Sequence, residues 1–138
     1  MLKQLTLTVE QMKELQALGV DCSDASMFLF PIYKDGKFSF YLNGVCSDEK
    51  TVERWKETIP DKSKDFHHAY TLQDIIEKLP KKICGVPLHL EREFYGNWVC
   101  GYFEKYQSAE SIISIASNSP LVAAFEILKW YYSEGIKM

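Results

Sequence analysis

His89, Glu91, Glu93, Cys100, Tyr102 and Glu104 bring reactive and metal-binding groups close together in this 138-residue chain. An imidazole, several carboxylates and a thiol on one strand pair can hold a metal or activate a nucleophile. Whether they meet depends on the hairpin that carries them. VPLHLEREF and NWVCGYFEK both run with period two, and Gly96-Asn97 between them reads as a two-residue turn. That turn pairs Tyr95 with Trp98, Glu93 with Cys100, Glu91 with Tyr102 and His89 with Glu104. Alternation then sends Leu88, Leu90, Phe94, Val99 and Phe103 to a core face. His89, Glu91, Glu93, Cys100, Tyr102 and Glu104 share the opposite, mixed face, with Trp98 and Tyr106 at its ends. A one-residue slip would exchange the two faces. Half-solvated strands produce such clusters by alternation alone, and His89–Glu104 reads equally as an ordinary cross-strand pair. The expectation is therefore no catalytic residue, no metal and no cofactor.

The other candidates are weaker. Six aromatic residues fall within FYGNWVCGYFEKY, residues 94–106, and aromatic strands stack bases in several folds. Such platforms need a positive groove, whereas three glutamates surround these rings, which argues against nucleic acid. His67-His68 with Asp65 lacks the spacing of a zinc motif and reads as a polar loop. Lys78, Lys81 and Lys82 gather at a helix C-terminus, where the helix dipole favours cations. A phosphate-binding glycine loop, a GxSxG elbow and an HExxH helix are all missing. The four cysteines, Cys22, Cys46, Cys84 and Cys100, are at least sixteen residues apart and form no CxxC motif.

The secondary structure that carries these residues can be read in outline. Hydrophobic residues make up 46% and charged residues 25%, the profile of a globular domain, and one domain over 1–138 accounts for the length. The net charge of -3 is spread evenly: residues 1–46, 47–70 and 71–138 each sum to -1, so no basic segment exists to neutralise phosphate. No apolar run suits a signal peptide or a membrane span, and the expectation is a cytoplasmic protein with reduced thiols. Thr8-Val9-Glu10-Gln11 is a capping box that opens a helix with Val9, Met12, Leu15 and Leu18 on one face and Gly19 at its end. MFLFPIY and KFSFYL around Asp35-Gly36 read as a hairpin, with Pro31 placing the first strand on an edge or at a bulge. SDEKTVERWKETIP reads as a helix inside the polar segment 47–70, a segment that reads as a candidate insertion. Thr71 caps a short helix with Leu72, Ile75, Ile76 and Leu79 on one face. SIISIAS is a third strand of the second group, and Ser119-Pro120 opens a closing helix that ends at Gly135. The order α-ββ-α-α-βββ-α predicts an α+β domain: an antiparallel sheet of about five strands in two hairpin groups, with helices packed on it.

Three segments, LTVEQMKELQALGVDCSDASM, TLQDIIEKLPKKI and SNSPLVAAFEILKWYYSEG, resemble a group of small uncharacterised proteins of gut anaerobic bacteria and their prophages or mobile elements. The group has no assigned catalytic residues, so the resemblance implies none here. A fainter likeness in SNSPLVAAFEIL is to antitoxin-type partial RNase H folds. The functional expectation is a non-enzymatic domain that binds another protein or itself, as an accessory product of a mobile element. The alternatives are an antitoxin-like module binding a toxin or a nucleic-acid-acting partner, and a small enzyme using the His89/Glu91/Cys100/Glu104 face. The closing helix carries more apolar surface than one sheet buries, which makes Trp130, Tyr131 and Tyr132 candidate interaction residues for a partner or a homodimer.

Overall fold

Thr8 starts the first helix by the means its sequence specifies. Its hydroxyl accepts from the Gln11 N–H at 3.2 Å, and the Gln11 carboxamide accepts from the Thr8 N–H at 2.9 Å. Helix α1 (Val9–Ala17) follows, with Val9, Met12 and Leu15 buried. It ends in a Schellman pattern, with Gly19 N–H donating to the Gln16 carbonyl and Val20 N–H to that of Leu15. The computed structural model describes residues 5–34, 37–45, 67–104 and 111–135. The helix expected within 47–70, Cys46 and Tyr106 lie outside the described residues.

Strands β1 (Met27–Lys34) and β2 (Lys37–Val45) pair antiparallel from Lys34↔Lys37 back to Met27↔Val45, with a register shift between Met27 and Phe28. Strand β3 (His67–Ala69) joins the other side of β1, but only over Met27–Leu29. Pro31 therefore sits beyond that pairing, where its missing N–H costs no bond to β3. The His67-His68 pair belongs to β3 and not to a loop. Three residues are too few to carry a periodic signal, and pairing alone defines the strand.

Thr71 caps α2 (Leu72–Lys78) through a second capping box, this one with Asp74. Strand β4 (Lys82–Ile83) then turns at Cys84-Gly85 into β5 (Val86–Arg92), followed by β6 (Trp98–Phe103), β7 (Ser111–Ser117) and α3 (Pro120–Ser133). Ser119 caps α3 by accepting from the Val122 N–H, with Pro120 in its first turn. The class is α+β, as the element order predicts. The two hairpin groups occupy separate sheets, however: three strands in the order β2-β1-β3 and four in the order β4-β5-β6-β7. β3 and β4, which sequence patterning did not indicate, account for the added strands.

Helix α3 packs on β6 and β7. The main core lies between that sheet face and the three helices, with Leu15, Tyr70, Ile75, Cys100, Tyr102 and Ile127 fully buried. A smaller cluster of Val9, Leu29 and Ala69 ties α1 to the first sheet.

A polar clip holds the 18–26 segment to α2. The Tyr70 hydroxyl donates to Asp24 Oδ1 at 2.6 Å, and Lys78 Nζ donates to Asp24 Oδ2 and to the Asp21 carbonyl, each at 2.9 Å. Asp74 Oδ2 accepts from both the N–H and the hydroxyl of Ser26. Partial burial pushes the Asp24 carboxyl up, but the Tyr70 hydroxyl and Lys78 outweigh it and hold it below the usual carboxylate range. Asp24→Asn should cost about 1–2 kcal/mol, a figure kept small because the carboxylate is more than half exposed. A depressed folded-state pKa stabilises above the unfolded value and loses that contribution as pH falls through the folded value. Urea midpoints of the two proteins should therefore differ at pH 7, with the difference shrinking below about pH 3.9 and gone once pH is below the lower folded-state value.

Candidate functional site

The β5–β6 hairpin turns through three residues, not two. Glu93 N–H donates to the Asn97 carbonyl at 2.7 Å, and Gly96 N–H donates to the Glu93 carbonyl at 3.0 Å. Gly96 takes φ +95°, the left-handed conformation that closes a three-residue loop after a type I turn. Phe94, Tyr95 and Gly96 form the tip. The pairs that follow are Arg92↔Trp98, Glu91↔Val99, Leu90↔Cys100, His89↔Gly101 and Leu88↔Tyr102. This register differs by three residues from the one a Gly96-Asn97 turn would set. An odd shift moves every β6 side chain to the other face.

The expected mixed face is thereby divided. Cys100 and Tyr102 are buried on the inner face with Leu88 and Leu90, under α3. Burial pushes the Cys100 thiol up to about 11, offset in part by the Gly101 N–H, so it stays protonated and poorly nucleophilic. The Tyr102 hydroxyl donates to the Pro80 carbonyl at 2.6 Å and pins the chain after α2 against β6. Burial, then the neighbouring Cys100 and Tyr131, raise its pKa well above the ordinary phenol value. His89 and Glu91 lie on the outer face with Val99 and Phe103, and the His89 ring stacks on Phe103 with centroids 5.0 Å apart. Glu104 is exposed just beyond the end of β6. The sheet itself separates the imidazole from the thiol. Among the described residues, no three His, Cys, Asp or Glu side chains converge as a metal site would require.

Trp130, Tyr131 and Tyr132 are half-buried at the end of α3 and pack against the main core. The Trp130 ring lies 6.2 Å from that of Tyr102, and the Tyr131 and Tyr132 rings meet edge to face at 5.4 Å. Leu121, Ala123, Ala124, Phe125, Ile127 and Leu128 are buried, so the core takes up most of the apolar surface of this helix. Lys78 is bound into the clip with Asp24, which leaves Lys81 and Lys82 as the exposed cations of the expected basic group.

The residues that sequence reasoning missed are Phe94 and Tyr95. A Gly96-Asn97 turn places Phe94 in the core and Tyr95 opposite Trp98. Instead they are 97% and 90% exposed, with their rings packed edge to face at 5.5 Å. The available signal was Gly96 at the third position of a three-residue loop. Both faces of WVCGYF are rich in apolar residues, so alternation did not arbitrate between the two turns.

No protein family, curated protein or solved structure matches this chain. No helix among the described residues is long and apolar enough to cross a membrane.

Proposed function

We propose that the protein is a non-enzymatic protein-interaction domain that docks another protein by inserting the Phe94–Tyr95 tip of the β5–β6 hairpin into an apolar pocket. The exposure of those two rings carries the reading. Folding leaves them in water, so each retains about 1.5–3 kcal/mol of burial free energy for a partner to realise. The loop that presents them is closed by two backbone hydrogen bonds, and aromatic side chains have few rotatable bonds to freeze. Exposed aromatic anchors of this kind are the residues that dominate protein interfaces. The tip is flanked by Glu91, Arg92 and Glu93, which together carry -1. That collar suits a protein pocket better than an anionic lipid surface or a phosphate backbone. The buried, protonated Cys100 and its separation from His89 support a role without catalysis. The resemblance to mobile-element proteins fits an accessory role carried out by binding.

A Phe94→Ser/Tyr95→Ser variant tests this. Its melting temperature should stay within about 2 °C of wild type, because neither ring contributes to the core. Tagged wild type expressed in its native host should co-purify a protein that the variant does not. Equal recovery with both would place the interface elsewhere.

A further inference from the structure

We infer that the protein forms a two-fold homodimer by antiparallel pairing of β7 with the β7 of a second copy, centred on Ser114. The two edges of the four-stranded sheet are treated differently. β4 is two residues long, contains Lys82 and follows Pro80 and Lys81, all devices that block strand addition. β7 is seven residues long and has no charge and no proline, and its one irregularity is a bulge at Ile112, near its start. Among the described residues β7 pairs only with β6.

The sequence of β7, SIISIAS, is nearly self-complementary about its centre. Antiparallel pairing there sets Ile113 beside Ile115 and Ser114 beside its own copy, with Ser111 and the bulged Ile112 outside the regular ladder. No charges are brought together, and every residue meets one of its own kind or another small or aliphatic one. The strand also retains surface to bury. Ile112, Ile113 and Ile115 are partly exposed, whereas the inward residues Cys100 and Tyr102 of neighbouring β6 are fully buried. Pairing of the regular centre, 113–115, would add about two to four main-chain hydrogen bonds, depending on which alternate residues face the free edge. It would join the sheets into eight strands, with the two α3 helices on the same side. A self-complementary patch repeated on both subunits is what a closed two-fold dimer requires.

Self-association through β7 is independent of the hairpin tip. Wild type should sediment at twice the 16.0 kDa mass of the single chain. Ser114 is exposed, so Ser114→Glu should leave circular dichroism and melting temperature near wild type. It sets two carboxylates side by side at the axis and should weaken the dimer at least about tenfold. With Cys46 and Cys84 replaced by serine, Ser114→Cys should cross-link to itself under mild oxidation, because either antiparallel pair type keeps the Cα atoms within disulfide range. Ser117→Cys, far from the axis, should not cross-link to itself. A wild-type monomer at high micromolar concentration would overturn the inference. So would a dimer that tolerates Ser114→Glu and gives no Ser114→Cys cross-link. Phe94→Ser/Tyr95→Ser should leave the dimer intact, so loss of the tip's partner and loss of self-association read out separately.

Discussion

Gly101→Ala should prevent the β4–β7 sheet from forming. Gly101 sits in β6, between His89 of β5 and Ser114 of β7. A Cβ at this position would run into the Ile113 carbonyl and lie 2.7 Å from the Ser114 Cα. These are backbone atoms of the paired strand, which no rotamer change can move. β7 would have to withdraw, taking with it the Ile113 and Ile115 side chains that pack on the core. The expected cost is more than about 4 kcal/mol, large against the roughly 5–15 kcal/mol that stabilises a domain of this kind. Urea unfolding would measure it. A midpoint unchanged from wild type would mean that β6 and β7 are not in this contact.

Ile75→Asp should be comparably severe, for a different reason. Ile75 is fully buried in the main core on α2, and Leu79 just beyond the helix is buried with it. Removing the side chain alone costs about 2–5 kcal/mol, and a carboxylate placed there adds a desolvation penalty. The variant should be unfolded, or fold only at low pH where the new carboxyl is neutral. Ile76→Asp, at a partly buried site on the same helix, should be milder but still destabilising. Circular dichroism of both variants at pH 7 checks the ranking. A folded Ile75→Asp with near-wild-type melting would show that α2 does not dock as described.

What was legible in the sequence is what local chemistry decides. The capping residues Thr8, Thr71 and Ser119 start helices where their side chains reach the next N–H groups, and the four apolar positions of 71–79 sit in or against the core. Those signals need only three or four residues of context. β3 and β4 are defined by distant pairing, and the turn between β4 and β5 places Cys84 at φ 51°, a role more often taken by asparagine or aspartate. The hairpin register depended on whether Gly96 ended a two-residue or a three-residue turn. That one choice determined whether Cys100 faced His89, and whether Phe94 was core or tip. The Tyr70–Asp24–Lys78 clip joins residues 46 and more positions apart and carries no motif.

Photo-cross-linking in the native host would show whether the aromatic tip docks a protein. Tyr95 is replaced by the photoreactive benzoylphenylalanine, and exposed Ser23, remote from the tip in sequence, serves as the control position. Docking by the tip predicts one adduct with a distinct protein from position 95, absent from position 23 and abolished when Phe94→Ser is added. No adduct at position 95, or the same adducts from both positions, would contradict it.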